Sequence, residues 1–226
     1  MTADGTGARP ALALSGSNVT GDAPFSCALR LAGVVHEARA PAGQRGDLAT
    51  LAARLCDTHG VQPADVGELR LDLGPGSYTG LRVAVTFVRF LQRFGDVPVL
   101  ATDSLSLLAT AALGPAAAGS RLRPLLDARR ERFHTALLVA EPVLRVVEPP
   151  AALPFAAVLA RAGVGDTFVV PAAVEAAHGA ALRATGAAVH LAALVTAAAL
   201  FRPELSLEPA TSAQLEPKYL MASYAE

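Results

Sequence analysis

Apolar positions along this chain follow two rhythms, and the switches between them mark out its elements. Residues 11–14 and 25–31 read as short strands, and residues 34–38 as a third after the Ala32-Gly33 turn, so the chain opens as an antiparallel meander. The period then lengthens. Beyond Asp47, a side chain suited to capping, Leu48, Leu51, Ala52 and Leu55 recur at helical spacing to about His59, and Gly60 stops the helix. Residues 69–73 and 97–101 return to short apolar runs with a long helical segment from about Gly80 to Phe94 between them, and Asp103 or Ser104 begins a further helix.

Residues 114–120 are small, with one proline, which reads as a connection between two lobes: 1–113, and a smaller lobe at 114–226 with an extended tail. In the second lobe, residues 123–126 and 133–139 read as strands around the charged turn 127–132, and residues 143–147 as a third strand. Residues 153–161 and 191–201 read as alanine-rich helices and residues 167–170 as a strand, while 202–212, with two prolines and little apolar pattern, reads as an extended or mobile loop. No internal sequence repeat is visible. Alanine is so frequent after residue 150 that the periodicity loses contrast and boundaries there are poorly defined.

Composition narrows the function classes. The formal net charge of −1 supplies no basic stripe for unaided RNA binding. Cys27 and Cys56 lack metal-site spacing and read as buried structural thiols. The five histidines, His36, His59, His134, His178 and His190, never stand four apart, so no helical pair presents two ring nitrogens to one metal. No continuous apolar stretch has the length of a signal or a membrane span, which points to a cytoplasmic protein, and the histidine spacing gives no reason to expect a metal or other cofactor.

The richest segment is the junction of the fourth strand with the long helix. Gly74-Pro75-Gly76 ends the strand, Ser77 or Thr79 can cap the helix, and Gly80 lies just beyond. Such a turn presents backbone N–H groups and the positive end of a helix dipole to an anion, or it is only a tight strand-to-helix turn. It is neither a Walker loop, because no Lys-Ser or Lys-Thr pair follows, nor a dinucleotide fingerprint in its expected spacing. Ser77 has no nucleophile-elbow pattern and no convincing histidine and acid beside it, which disfavours proteolysis.

On a helical wheel, Arg82, Thr86, Arg89 and Arg93 form one polar stripe. Leu81, Val83, Ala84, Val85, Phe87, Val88, Phe90, Leu91 and Phe94 cover roughly 220° of the circumference, where a helix lying on a sheet needs nearer ~100°. The excess calls for a second packing partner, another helix of the same lobe or another chain. In the helix after Asp47, Leu48, Leu51 and Leu55 form one face, and Ala49, Ala53 and Cys56 a smooth adjacent one.

The run Gly74-Pro75-Gly76-Ser77-Tyr78-Thr79-Gly80-Leu81-Arg82, followed by Pro98 through Ala109, Leu126-Asp127-Ala128-Arg129-Arg130 and Glu216-Pro217-Lys218-Tyr219-Leu220, resembles the TsaB (YeaZ) family. The resemblance implies an α/β fold of two ribonuclease-H-like lobes, as in actin, sugar kinases and Hsp70, the second smaller and degenerate. It also implies a non-catalytic scaffold subunit of the complex that modifies the adenosine beside the anticodon to threonylcarbamoyladenosine. Its partners would be a TsaD-like paralogue that carries out the transfer, with a TsaE-like ATPase through the complex, a second copy when alone, and tRNA only indirectly. On the same resemblance the two long helices form the pairing face, with Leu51, Leu55, Leu81, Val85, Phe87, Val88 and Leu91 as candidate interface residues.

One departure matters. Members of this family often carry Asp-Thr-Ser at the end of the first strand, where this chain has Ser15-Gly16-Ser17, and a hydroxyl is a poor substitute for a carboxylate toward a hard cation. Asp22 lies close in sequence and reads as a loop acid. The missing acid argues against the alternative of a small ATP-dependent kinase or phosphohydrolase, and the altered motif leaves room for a diverged, self-associating interaction domain. Asp127, Arg129 and Arg130, in the densest charge cluster, read either as a solvated hairpin turn or as an anion or cleft contact.

Overall fold

The computed structural model describes residues 9–18, 23–41, 47–114, 118–193 and 195–221. It divides into two compact units. One runs to Ser104 and takes in Thr196–Arg202 and Leu207–Lys218; the other comprises Leu105–Val195, Pro203–Ser206 and the chain from Tyr219. The division falls earlier than the lobe boundary read at 113/114, and it returns part of the 114–226 stretch to the first unit.

In the first unit, β1 (Ala11–Ser15), β2 (Ser26–Leu31) and β3 (Val34–Arg39) form the expected meander, followed by α1 (Leu48–Thr58), β4 (Glu68–Asp72), α2 (Tyr78–Gly95) and β5 (Val99–Thr102). β4 pairs parallel with β1, and β5 parallel with β4. A two-residue strand, β11 (Glu208–Pro209), joins antiparallel at the β5 edge, giving the order β11-β5-β4-β1-β2-β3. Asp47 caps α1 as its sequence position suggested, accepting from the Ala49 N–H at 3.0 Å and the Thr50 hydroxyl at 2.7 Å. The Thr50 hydroxyl is the main cause of a depressed Asp47 carboxyl pKa.

Strand alternation gives this sheet two buried faces. Leu12, Leu14, Cys27, Leu29, Leu69 and Leu71 face the apolar sides of α1 (Leu48, Ala52, Leu55) and α2 (Ala84, Val85, Val88). The opposite face carries small or polar residues and is covered by a 3-10 turn, Ala197–Phe201. The Ala197 N–H donates to Ser26 Oγ at 2.9 Å, Arg70 donates to the Leu200 carbonyl at 2.8 Å, and the Arg30 and Arg70 guanidiniums lie 5.0 and 4.9 Å from the Phe201 ring centroid. Both cysteines are buried, and burial pushes the Cys27 thiol up to about 12 and raises Cys56.

The second unit holds α3 (Ser104–Ala109, whose first residue belongs to the first unit), then β6 (Arg121–Asp127), β7 (Arg132–Ala140), β8 (Leu144–Pro154), α4 (Phe155–Arg161), β9 (Asp166–Val170), α5 (Ala172–Arg183) and β10 (Ala188–Leu191). Its sheet order, β10-β9-β6-β7-β8, repeats that of β1 to β5 strand for strand, antiparallel and parallel pairs included. Leu125, Phe133, Val158, Phe168, Val170, Val174 and Leu182 form its core. Among the described residues, no helix is long and apolar enough to cross a membrane.

The alanine-rich half is where sequence and structure part. The helix expected over 191–201 is absent: Leu191 ends β10, and helical turns, of the 3-10 kind, occur only at Ala197–Phe201. Its apolar residues are spent on covering a sheet rather than on a helix face. The helix expected over 153–161 starts at Phe155, because Leu153 and Pro154 continue β8 opposite Phe133 and Arg132. β8 itself runs well past the expected 143–147. Residues 208–209, read as part of a loop, form β11. Asp22 and residues 115–117 of the expected connection lie outside the described residues.

Candidate functional site

β4 hands over to α2 through a loop whose glycines are occupied by close contacts within the chain. Gly74 has φ +94°, and a Cβ there would sit 2.5 Å from Leu81 Cδ1. A Cβ on Gly76 would overlap the Ser17 carbonyl, while one on Gly80 would meet the carbonyl of Gly16 and one on Gly16 the carbonyl of Gly80. The Ser77 N–H donates to the Ser17 carbonyl at 2.8 Å, and Ser77 Oγ caps α2 by accepting from the Gly80 N–H at 3.2 Å. Thr79, the other candidate cap, is exposed. The glycines of this loop are used in packing against the turn after β1, as a tight strand-to-helix turn requires.

Beneath the loop lies an acid that the sequence reading passed over. Asp72, 1% exposed at the end of β4, accepts from Ser15 Oγ at 2.9 Å, Ser104 Oγ at 2.6 Å and the Gly74 N–H at 2.9 Å. Ser15 Oγ also lies 3.3 Å from Ser17 Oγ. The carboxylate looked for on β1 is thus present on the neighbouring strand, hydrogen-bonded to the serine found in its place. Burial raises the Asp72 pKa against the opposing hydrogen bonds from Ser104, Ser17, Gly74 and Ser15. Both carboxylate oxygens are engaged by hydroxyl and amide donors, an arrangement that ties the ends of β1 and β4 to the start of α3. The signal was an acid inside the apolar run Leu69–Leu73, two residues before the first glycine.

α1 and α2 lie side by side. Of the candidate interface residues, Leu55, Leu81, Val85 and Val88 are buried within the first unit, whereas Leu51, Phe87 and Leu91 are partly exposed while packing on its core. Val88 is therefore the sheet-facing residue and Phe87 lies toward the outer edge. That edge continues through Val83 (39% exposed), Phe90 (58%) and Phe94 (76%), and the Phe90 and Phe94 rings touch at 4.6 Å. The wheel contained these last three, but their neighbours were preferred because sequence alone cannot orient the arc.

The turn between β6 and β7 is tightly built. Arg129, Arg130 and Glu131 have φ of 65°, 51° and 58°, a left-handed run that costs non-glycine residues about 1–2 kcal/mol each. Asp127 Oδ1 holds the Arg129 N–H at 2.7 Å, and the Glu131 carbonyl accepts from Phe155 N–H at 3.1 Å. Asp127, Arg129 and Arg130 are all exposed. Nearby on β7, burial pushes His134 down to about 4, so its imidazole is neutral at physiological pH. His36 and His59 stack at 3.8 Å and His178 packs on Phe133 and Phe155; among the described residues no three potential ligands gather for a metal.

Comparisons with known proteins bear on the fold and the family. Structures of an uncharacterized Pseudomonas aeruginosa protein with similarity to peptidase YEAZ and of YeaZ from Pseudomonas aeruginosa superpose with TM-scores of 0.73 and 0.70 at 23% identity, over 95% and 94% of this chain and all of theirs. They establish the shared two-lobed fold. The tRNA threonylcarbamoyladenosine biosynthesis protein TsaB of Bacillus subtilis (strain 168) is 39% identical over 82 residues, 36% of this chain. The match spans 33% of that relative's length. The family model of TsaD, tRNA N6-adenosine threonylcarbamoyltransferase, matches residues 44–163, a stretch from before α1 to just past α4 that takes in the glycine loop and the β6–β7 turn. With more than half its length under that model, the chain belongs to the TsaD family and within it resembles the TsaB (YeaZ) branch.

Proposed function

We propose that this chain is a non-catalytic scaffold subunit of the machinery that installs threonylcarbamoyl on the adenosine beside the anticodon, and that it holds a TsaD-like transferase in its competent state. The observation that carries the reading is the closed glycine loop: the carbonyls of Gly16 and Ser17 stand against Gly80 and Gly76. The only acid at the end of β1 or β4 among the described residues, Asp72, is buried and saturated by donors. A kinase or phosphohydrolase of this fold would need that space for phosphate and that carboxylate for a cation.

The pairing surface is the outer edge of α2, Val83, Phe87, Phe90 and Phe94, extended by Leu51 and Leu91. An apolar edge of this kind, with two adjoining exposed phenylalanines, fits a protein partner. The occupant is the TsaD-like paralogue in the assembled complex and a second copy of the chain when it is alone. A TsaE-like ATPase joins through the complex, and tRNA is met through the transferase, since a net charge of −1 offers RNA no attraction. Arg129 and Arg130 present guanidinium groups suited to a carboxylate or phosphate of the assembly.

The test is reconstitution. The purified chain alone should hydrolyse no MgATP, and adding it to its cell's TsaD-like paralogue, with threonylcarbamoyl-adenylate and tRNA, should switch on modification. Magnesium-dependent ATP hydrolysis that follows the chain through purification, or full modification without it, would overturn the proposal.

A further inference from the structure

α2 reaches beyond the core that holds it. Its buried residues are Gly80, Leu81, Ala84, Val85 and Val88, and after Val88 no residue is fully buried, with Leu91 packing on the core while partly exposed. Phe90 and Phe94, the most exposed aromatic residues of the helix, belong to this overhang. A helix end with so little packing frays unless its side chains are held elsewhere.

What holds it is the closing segment of the chain. β11 adds to the β5 edge, and the Ala210 N–H continues that pairing by donating to the Val99 carbonyl at 2.9 Å. The segment then passes along α2, accepting at the Ala210 carbonyl from Gln92 Nε2 at 3.1 Å and at the Ser212 carbonyl from Arg89 Nε at 3.0 Å. Leu215, fully buried, anchors it in the core, and the Lys218 N–H donates to the Leu73 carbonyl at 2.8 Å, beside the glycine loop. Arg89 and Gln92 lie on one flank of α2, and Val83, Phe90 and Phe94 project roughly 100–180° away, as the 3.6-residue turn requires. The segment therefore grips the overhang without covering its apolar edge.

We infer that Glu208–Lys218 is a strap that pre-orders the docking end of α2, and that Arg89 and Gln92 are positioning residues for partner binding. The inference rests on the proposed docking role of that edge. Binding to a frayed helix end would have to order it first, at a cost in affinity; the two side-chain bonds to the strap remove that cost beforehand. This accounts for Arg89 belonging to the polar stripe of the helix and for the closing Glu216-Pro217-Lys218 element returning to the glycine loop.

The experiment compares the full chain with Arg89→Ala/Gln92→Ala and with Phe90→Glu, measuring thermal unfolding, amide exchange over residues 90–95, and affinity for the TsaD-like paralogue. For the double variant we expect a near-unchanged melting temperature, exchange over 90–95 about tenfold faster, and pairing about tenfold weaker. Unchanged exchange, or faster exchange with unchanged pairing, overturns the strap's role. Weaker pairing with unchanged exchange also overturns it, by making Arg89 or Gln92 a direct contact. If Phe90→Glu pairs normally, the docking edge itself is misassigned and the positioning role falls with it, while the exchange data still decide whether the strap orders the helix.

Discussion

The two units carry one strand order and differ in how they treat the connection after the fourth strand. In the first unit β4 leads through five residues into α2, with glycines pressed against the turn after β1 and a helix of 18 residues whose last turns are only partly buried. In the second, β9 passes directly through Pro171 into α5, a helix of 12 residues. Topology supplies the sheet in both units; the specialised surface comes from the elaborated connection.

Their buried charges differ in the same spirit. Asp72 is held by hydroxyls and an amide, so burial wins and its pKa rises. In the second unit Arg123, 1% exposed, bridges Asp166 at 3.2 Å and Glu148 at 3.0 Å, while Arg121 reaches Asp166 at 2.7 Å. Asp166 and Glu148 are held below the usual carboxylate range; burial opposes the shift at Asp166, where Arg121, the Gly163 N–H and Arg123 outweigh it, and the Arg123 hydrogen bond leads at Glu148.

The largest effect should come from breaking the charged node of the second unit. Arg123→Ala leaves the buried Asp166 with only Arg121 and the Gly163 N–H and frees Glu148, and a loss of about 3–5 kcal/mol is expected in denaturant unfolding. Because the folded pKa values of Asp166 and Glu148 are depressed, their contribution is present above the unfolded carboxylate range and disappears as pH falls through the folded values. The wild-type acid limb should therefore flatten in the variant; an unaltered limb with full stability would show the node to be inert.

Gly80→Ala and Gly179→Ala sharpen the contrast between the two helices. At Gly80 the new methyl meets the backbone of Gly16, and overpacking should cost about 1–3 kcal/mol. At Gly179 it meets the movable ends of Glu175 and Arg183, so better helix propensity should leave stability level or up to about 1 kcal/mol higher. Equal losses at both positions would remove the distinction.

A smaller effect is expected at Asp72. Asp72→Ala leaves the Ser15 and Ser104 hydroxyls and the Gly74 N–H without their acceptor, a loss of about 1–3 kcal/mol, whereas Asp72→Asn keeps an acceptor and sheds the ionised form. The raised folded pKa means that the protonated acid favours the folded state, and that this advantage fades as pH climbs from the unfolded carboxylate range through the folded value. Asp72→Asn should lack that fade; a variant that retains it would place its source elsewhere.

Much of the first unit was legible because each local signal agrees with the fold. Asp47 and Gly60 bracket α1, Ser77 caps α2, and the short apolar runs of β1, β2 and β4 are bounded by turn residues. The candidate site was half legible. The glycines were found, but their use in packing against residues 16–17 depends on a contact between distant segments, and Asp72 was hidden by attention to the first strand. On α2 the width of the apolar arc was readable and its orientation was not, because Val88 and Phe87 differ only in which way the helix is turned. After residue 150 alanine blurred helix and strand, so α5 and β10 carried little contrast and residues 191–201 read as one helix.

The account turns on the outer edge of α2, and Phe90 tests it most directly because it is exposed where Val88 is buried. Co-purification with the TsaD-like paralogue should be lost for Phe90→Glu, whose circular dichroism and melting should match wild type, while Val88→Glu should fail to fold. A folded Phe90→Glu chain that still binds the paralogue with wild-type affinity would contradict the central claim.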